Sequence, residues 1–183
     1  MSDAARVSSR RVYSGRVLNL DLDEVRFPDG SVGELEMIRH SGASAVLPFL
    51  SDPRGEDPQI LLIRQYRYAA EDYLYEVPAG RLDPGEAPEA CALRELREET
   101  GCTASGVEHL TTIFTTPGFT DERIHLYLAT GLVRGDTKRE ADEFIELETM
   151  LLSRALELVE QGKIRDGKTV VALLFAAGFR AGR

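Results

Sequence analysis

The pattern of apolar and polar residues is strand-like over much of this chain. Residues 11–50 alternate as β-strands do, and the dipeptide Asp29-Gly30 between two alternating runs predicts a hairpin. Residues 43–49 predict a core strand, and the continuous apolar run 60–63 predicts a buried one. The segment 76–80 is expected to be a strand end that runs into a loop. Further strands are expected at 107–115 and 123–130.

Residues 88–100 instead carry apolar side chains at helical spacing. Pro88 suits the first turn of a helix, and Gly101 is expected to cap its C-terminus. Two more helices are expected near 150–161 and 167–179. Because strand-rich and helix-rich stretches are mixed, the pattern favours an α+β fold arranged as an α/β/α sandwich.

The charge and composition of the chain exclude some classes of binding partner and cellular location. The net charge of −9 argues against nucleic acid or an anionic membrane, since both attract basic surfaces. No apolar run is long enough to span a bilayer, and the N-terminus lacks the apolar core of a signal peptide, so a cytoplasmic location is expected. Cys91 and Cys102 cannot form a disulfide framework and are expected to be buried free thiols.

Three carboxylates share one face of the predicted helix. Glu95, Glu98 and Glu99 stand at positions i, i+3 and i+4, where like charges repel. A hard divalent cation relieves that repulsion, because Mg²⁺ and Mn²⁺ prefer oxygen ligands. The alternative is a solvated acidic face neutralised by Arg94 and Arg97. For this helix alone, the solvated face is the more common arrangement.

The residues in front of the helix favour a metal site over a solvated acidic face. Gly80, Glu86, Arg94-Glu95-Leu96, Glu98-Glu99 and Gly101 are spaced as in the Nudix box, a loop–helix–loop signature. The segment therefore resembles the Nudix hydrolase family over 23 positions. Cys102 departs from the usual aliphatic residue, but cysteine packs as a small hydrophobic side chain.

Outside the box, three stretches resemble the ADP-ribose pyrophosphatase branch of that family: 64–67, 76–80 and 116–122, with Pro117 about fifteen residues beyond the box. The resemblance covers most of residues 12–175. It implies a Nudix fold with a mixed central sheet, plus a small N-terminal antiparallel sheet.

The resemblance also implies roles for the residues of the box. Glu95 and Glu99 would be the main metal ligands, with Glu98 assisting and the Ala79 carbonyl completing the site. Glu86 would bind or orient the metal more peripherally. Glu98 and Glu99 would be catalytic, and the base would be Glu143, with Glu140 as the fallback. Structural roles fall to Gly80, Arg94, Gly101 and Pro117.

Other residues would contact the substrate. Arg67 would bind the pyrophosphate or the terminal ribose, and Glu76 and Glu122 would bind hydroxyls or base edges. Gly118 would line the same site. Val17 would touch the base in the partner subunit. One arginine of the N-terminal region is also expected there, and Arg26 and Arg39 are the candidates, against the alternative that both are surface charges.

The implied reaction is attack of a metal-activated water on the pyrophosphate of ADP-ribose, giving AMP and ribose 5-phosphate. Two to three Mg²⁺ ions would serve as cofactors, with Mn²⁺ as a possible substitute. Alternatives are another nucleoside diphosphate derivative, such as GDP-mannose or FAD, and a non-catalytic module that senses ADP-ribose. Residues 1–41 would form a homodimer by exchange of strands, and 42–183 would form the hydrolase domain.

Overall fold

The computed structural model describes residues 5–135 and 144–179. It divides into two compact units, Met1–Gly42 with Phe114–Arg123, and Ala43–Ile113 with Ile124–Arg183. The strands are β1 (Arg6–Ser14), β2 (Asn19–Arg26), β3 (Val32–Arg39), β4 (Ala43–Pro48), β5 (Gln59–Arg67), β6 (Asp72–Glu76), β7 (Ala79–Arg81), β8 (Cys102–Phe114), β9 (Arg123–Arg134) and β10 (Ile145–Leu151). The helices are α1 (Pro88–Thr100), α2 (Leu152–Glu160) and α3 (Gly167–Leu174), with a 3₁₀ turn at Tyr68–Ala70 and a π-helical turn at Phe175–Phe179.

The first unit contains the antiparallel sheet β1-β2-β3. Its β2–β3 turn has Gly30 at φ 87°, and the Asp29 carboxylate accepts hydrogen bonds from the backbone and hydroxyl of Ser31. The predicted hairpin is therefore confirmed, and the Asp29-Gly30 pair that predicted it forms the turn. In the same unit, Ile38 of β3 forms a parallel bridge with Thr120.

The second unit contains two sheets. One has the order β7-β4-β9-β8, in which β4 runs parallel to β9 and antiparallel to β7. The other, β10-β5-β6, is antiparallel throughout. The expected mixed sheet is confirmed. Its central strand β4 is buried at all six positions, as its mostly apolar sequence favours, and the hydroxyl of its one polar residue, Ser44, is hydrogen-bonded.

Successive residues of β4 face two different cores. Ala45 and Leu47 pack into a cluster that includes residues of α2 and α3. Val46, between them, packs with Ala92 and Leu96 of α1. Because the side chains of a strand alternate between its faces, helices cover both sides of the sheet, and this gives the α/β/α layers.

The predicted element boundaries were nearly right for the helices and less so for the strands. Strand β10 was not predicted, and the helix expected from 150 begins at Leu152. Helix α1 spans the predicted residues and ends at Gly101, whose φ of 74° is left-handed. Strand β8 begins directly after this cap, five residues before the predicted 107. The segment after Glu76 is not all loop, because 79–81 pair with β4. Among the described residues, no helix is long and apolar enough to cross a membrane.

Candidate active site

The loop before α1 is closed by its own hydrogen bonds. Gly85 adopts a φ of 79°, which turns the chain so that the backbone N–H of Asp83 donates to the Glu86 carboxylate at 3.0 Å. At the start of the helix, the Ser44 hydroxyl donates to the carbonyl of Pro88 at 2.7 Å. The loop and the helix are thereby attached to the central strand β4.

Arg94 ties this loop to the helix. Its Nε and Nη2 donate to the two oxygens of Glu86, at 2.9 and 3.0 Å. Its Nη1 donates to Glu95 and, one turn further on, to Glu98 at 3.0 Å. The hydrogen bond from Arg94 lowers the pKa of Glu86 to about 2, and the same bond raises the pKa of Arg94 further. One guanidinium therefore holds three carboxylates of the box.

Gly80 lets the backbone approach Glu95 closely. A Cβ at this position would lie 1.9 Å from Oε1 of Glu95 and 2.2 Å from its Cδ, far inside van der Waals contact. Any side chain here would displace the carboxylate. The glycine is thus required by the space beside Glu95.

The three helix carboxylates differ in exposure. Glu95 and Glu99 are buried, at 8% and 3% exposure, whereas the side chain of Glu98 is 38% exposed. Glu99 accepts a hydrogen bond from the backbone N–H of Ala79 at 3.2 Å. This bond places the carboxylate beside the residue whose carbonyl was expected to complete a metal site.

The chemistry of this donor set fits a hard divalent cation. Carboxylate and carbonyl oxygens are the ligands that Mg²⁺ and Mn²⁺ prefer, and two of the carboxylates are buried, Glu95 against Gly80 and Glu99 against the backbone N–H of Ala79. Over residues 5–135 and 144–179, no three His, Cys, Asp or Glu side chains already converge as a finished metal cluster. The cation that neutralises Glu95 and Glu98 in this conformation is Arg94.

A second charged group lies on β5, β6 and α3. Arg67 donates from Nε and Nη2 to the two oxygens of Glu76, at 2.6 and 2.8 Å. Lys168 donates to the same carboxylate and also forms an ion pair with Asp166 at 3.0 Å. Burial acts to raise the pKa of Glu76, but the hydrogen bond from Arg67 and the charge of Lys168 hold it below the usual value. Glu76 is therefore a buried, ionised carboxylate that joins two cations.

The first turn of α3 is attached to the strand that leads into the box. Asp166 caps the helix by accepting from the backbone and the hydroxyl of Thr169, at 3.0 and 2.6 Å. The same hydroxyl accepts from the backbone N–H of Val77 at 2.9 Å. Thr169 is completely buried. This chain of bonds fixes the residue that directly follows Glu76.

Lys168 and Thr169 were missed by the sequence reasoning. One signal was available: a lysine in the first turn of a helix faces the positive end of the helix dipole. Such a position needs an anionic partner. The sequence could not show that the partner is Glu76, which lies 92 residues earlier in the chain.

Both cysteines are buried free thiols, as expected. Burial raises the pKa of Cys91 to about 11, so this thiol stays protonated and unreactive at neutral pH. Cys102 packs in the same apolar cluster as Leu96, which confirms that it serves as a small hydrophobic residue.

The remaining predicted residues that the structure describes lie in the first unit. Arg39 donates to Asp21, Asp23 and Asp121, one from each of its nitrogens. Arg26 donates to the carbonyl of Gly30 in the hairpin turn at 3.4 Å.

Glu122 also has partners within the first unit. It lies 3.4 Å from Nδ1 of His40 and accepts from the Thr115 hydroxyl at 2.8 Å. Val17 is half exposed, at 53%. The Pro117-Gly118 pair forms a turn closed by the backbone N–H of Phe119, which donates to the Thr116 carbonyl at 3.2 Å. Glu143 and its fallback Glu140 lie outside the described residues.

The structure thus brings together Ala79, Gly80, Glu86, Arg94, Glu95, Glu98, Glu99 and Gly101 around the loop and helix, and it pairs Arg67 with Glu76 in the same unit. Val17, Arg26, Arg39, Pro117, Gly118 and Glu122 belong to the other unit.

Comparison with known proteins gives a consistent picture. The NUDIX domain family matches residues 41–173. An ADP-ribose pyrophosphatase of Bacillus subtilis is 39% identical over 171 residues, which cover 92% of this chain and 90% of the relative. A methanol dehydrogenase activator of Bacillus methanolicus has the same identity and coverage. A solved structure, an ADP compounds hydrolase, shares the fold with a TM-score of 0.81 at 22% identity, covering 97% of this chain and 94% of that one.

Proposed function

The chain belongs to the Nudix family, and we propose that it hydrolyses ADP-ribose to AMP and ribose 5-phosphate with the help of divalent cations. The observation that carries this proposal is the box itself. Glu95, Glu98 and Glu99 lie along α1, and Gly80 leaves room for the carboxylate of Glu95. A relative named ADP-ribose pyrophosphatase, similar over nine-tenths of both chains, supports the choice of substrate.

The box residues would hold the cations. Glu95 and Glu99 are the main ligands in this proposal, Glu98 assists, the Ala79 carbonyl completes the set and Glu86 is peripheral. We assign two to three Mg²⁺ ions, with Mn²⁺ as a substitute. Bound divalent ions would neutralise the diphosphate and lower the pKa of a water that attacks phosphorus.

The protein's own part in this chemistry is to hold the carboxylates ionised and in place. Arg94 keeps Glu86 attached to the helix through two parallel hydrogen bonds. Its third nitrogen, Nη1, is shared by Glu95 and Glu98, which are thus the carboxylates that exchange Arg94 for a metal ion. Glu86 then keeps the guanidinium when the other two leave it.

The substrate side of the proposal rests on Arg67. Its planar guanidinium suits a phosphate, and Glu76 fixes one edge of it. Because Glu76 is buried and already binds two cations, its contribution to the substrate passes through Arg67.

The first unit would supply Val17, Gly118 and Glu122 to the base and ribose, with one arginine. Of the two candidate arginines we favour Arg26, since all three nitrogens of Arg39 already donate to aspartates. Glu143 is the proposed base.

We also propose that the protein is a homodimer with exchanged N-terminal strands. Strand β1 is exposed at all nine positions. The first unit also exposes Val7, Val12 and Tyr13 by about half, a pattern expected of a surface that a second copy covers. A cytoplasmic location stays a prediction from the sequence.

A substrate panel tests the proposal. ADP-ribose, GDP-mannose and FAD are incubated with the protein and either Mg²⁺ or Mn²⁺, and the products are separated and identified. We expect the highest kcat/KM for ADP-ribose, with AMP and ribose 5-phosphate as products. A higher kcat/KM for GDP-mannose or FAD would replace the substrate but keep the reaction. Binding of ADP-ribose without release of AMP would instead support the non-catalytic module.

A further inference from the structure

Glu76 is a buried carboxylate that is bonded to two cations, although one would be enough to neutralise its charge. Its side chain is 2% exposed, and a buried carboxylate is stable only when it is paired. Arg67 alone would form a neutral pair with it through two parallel hydrogen bonds. Lys168 adds a second cation to the same carboxylate, and Asp166 balances Lys168 from the other side. Glu76 is therefore shared between two cations.

This sharing leaves Arg67 able to bind a further anion. Nε and Nη2 of Arg67 form the edge that faces Glu76. Among the described residues, no acceptor meets Nη1 within hydrogen-bond distance, and the side chain is 41% exposed. Its partner Glu76 lies three residues before Ala79, whose backbone N–H donates to Glu99, so the guanidinium lies near the box. The charge of Glu99 also contributes to raising the pKa of Arg67. The free edge is available to a ligand beside that site.

Lys168 is itself held rigidly. It lies between Asp166, the N-cap of α3, and Thr169, whose hydroxyl binds both Asp166 and the backbone of Val77. A lysine in this first turn opposes the helix dipole, so the helix alone does not favour it. The ion pairs with Glu76 and Asp166 offset that cost and fix the ammonium group.

We propose that Lys168 is a positioning residue for the diphosphate of the substrate. By holding Glu76 it orients Arg67, and by sharing the charge of Glu76 it leaves Arg67 positive enough to attract a phosphate. This inference rests on the proposed function, since the anion that Arg67 receives is the diphosphate of that substrate. Lys168 acts through Arg67 and does not touch the substrate.

The variant Lys168→Met removes the charge but keeps a long side chain. We expect KM for ADP-ribose to rise about tenfold while kcat changes little, because the lost interaction serves the bound substrate and the transition state alike. Lys168→Gln, which keeps a donor without the charge, carries the same expectation. Lys168→Arg should restore most of the affinity. The matched control is Lys163→Met, the same change at an exposed lysine before α3.

A double-mutant cycle with Arg67→Ala separates positioning from direct contact. If Lys168 acts through Arg67, adding Lys168→Met to Arg67→Ala will raise KM no further. Additive effects, or a loss of melting temperature with KM unchanged, would overturn the inference. Failure of both Lys168→Met and Lys168→Gln to fold would leave Lys168 a structural role alone.

The cycle also separates this inference from the substrate assignment. It is repeated by calorimetry, as binding of ADP-ribose without turnover. If the wild-type protein prefers GDP-mannose or FAD, the substrate assignment fails, and the same non-additivity is expected with the preferred compound. A protein that binds none of the three would overturn both.

Discussion

Two clusters in this molecule each join one arginine to three carboxylates, and the two differ in how the carboxylates are held. Arg94 meets Glu86, Glu95 and Glu98 on the box loop and helix. In the N-terminal sheet unit, Arg39 meets Asp21, Asp23 and Asp121. In each cluster one guanidinium meets three carboxylates, and Asp21 of the N-terminal cluster also pairs with Arg11. An arginine among carboxylates therefore does not by itself distinguish a structural lock from a candidate metal site.

The difference lies in what surrounds the carboxylates. In the Arg39 cluster, each nitrogen of the guanidinium donates to a different aspartate, and the partners come from two separate segments of that unit. In the box cluster, two nitrogens of Arg94 donate to Glu86, and the third donates to both Glu95 and Glu98. A fourth carboxylate, Glu99, is held by a backbone N–H instead. Under the proposed function, these shared and backbone-held carboxylates exchange their present partners for a divalent cation.

Glu99→Gln should break the box cluster most strongly. The amide removes one charge from the proposed metal site, so kcat on ADP-ribose should fall by about 10³-fold with the fold intact. The measurement is AMP release at saturating Mg²⁺, with circular dichroism as a check on folding. Glu89→Gln, the same change at an exposed position of the same helix, should leave turnover within about twofold. Equal effects of both variants would remove Glu99 from the site.

Gly80→Ala should act through Glu95. The added Cβ would overlap the carboxylate, the flexible end of that side chain, so Glu95 turns away and the protein still folds. We expect kcat to fall about tenfold and the Mg²⁺ concentration for half-maximal activity to rise. Gly178→Ala is the control, since a Cβ there meets no atom within 4 Å. A normal Mg²⁺ dependence for Gly80→Ala would contradict the close approach.

Removal of each arginine compares the two clusters directly. Arg39→Ala leaves buried Asp21 and Asp23 without that cation, and Arg94→Ala leaves the box carboxylates facing one another. Each melting temperature should fall by roughly 5 °C in EDTA. Millimolar Mg²⁺ should recover the Arg94 variant and not the Arg39 variant, as followed by differential scanning calorimetry. Recovery of both would mean that the N-terminal cluster also binds a divalent cation.

The smallest effect concerns acid stability. Burial acts to raise the pKa of Asp23, but the hydrogen bonds from Ser9 and Arg39 hold it below 3.8. A depressed pKa contributes stability that is present above the unfolded value and is lost as the pH falls through the folded value. Asp23→Asn should therefore flatten the loss of stability below about pH 4. Urea titrations between pH 3 and 6 measure this slope, and an unchanged slope would contradict the assignment.

The parts of the fold that the sequence predicted are those with local causes. Pro88 and Gly101 bound α1, and the Asp29-Gly30 pair closes the β2–β3 hairpin. The apolar runs of β4 and β5 report burial on both faces. In each case the responsible residues are neighbours along the chain.

What the sequence did not predict depends on partners far apart. Residues 79–81 become a strand only because β4 offers them an edge. Arg39 became a substrate candidate because the sequence could not show that Asp121, 82 residues later, receives it. Lys168 was missed for the same reason, because its partner Glu76 lies 92 residues earlier in the chain. The box glutamates could be named in advance because their spacing, together with Gly80 and Glu86 in front of the helix, matches the Nudix box.

The link between Lys168 and Glu76 also sets the order in which the site can be assembled during synthesis. The box helix and β4 leave the ribosome first, but β4 pairs in parallel with β9, some eighty residues later. The bonds that fix Glu76 and Val77, and through Glu76 the position of Arg67, form later still, after residues 166–169 have emerged. A nascent chain whose box has formed therefore still lacks the Lys168–Glu76 link, and the cluster around Arg67 is complete only when α3 docks.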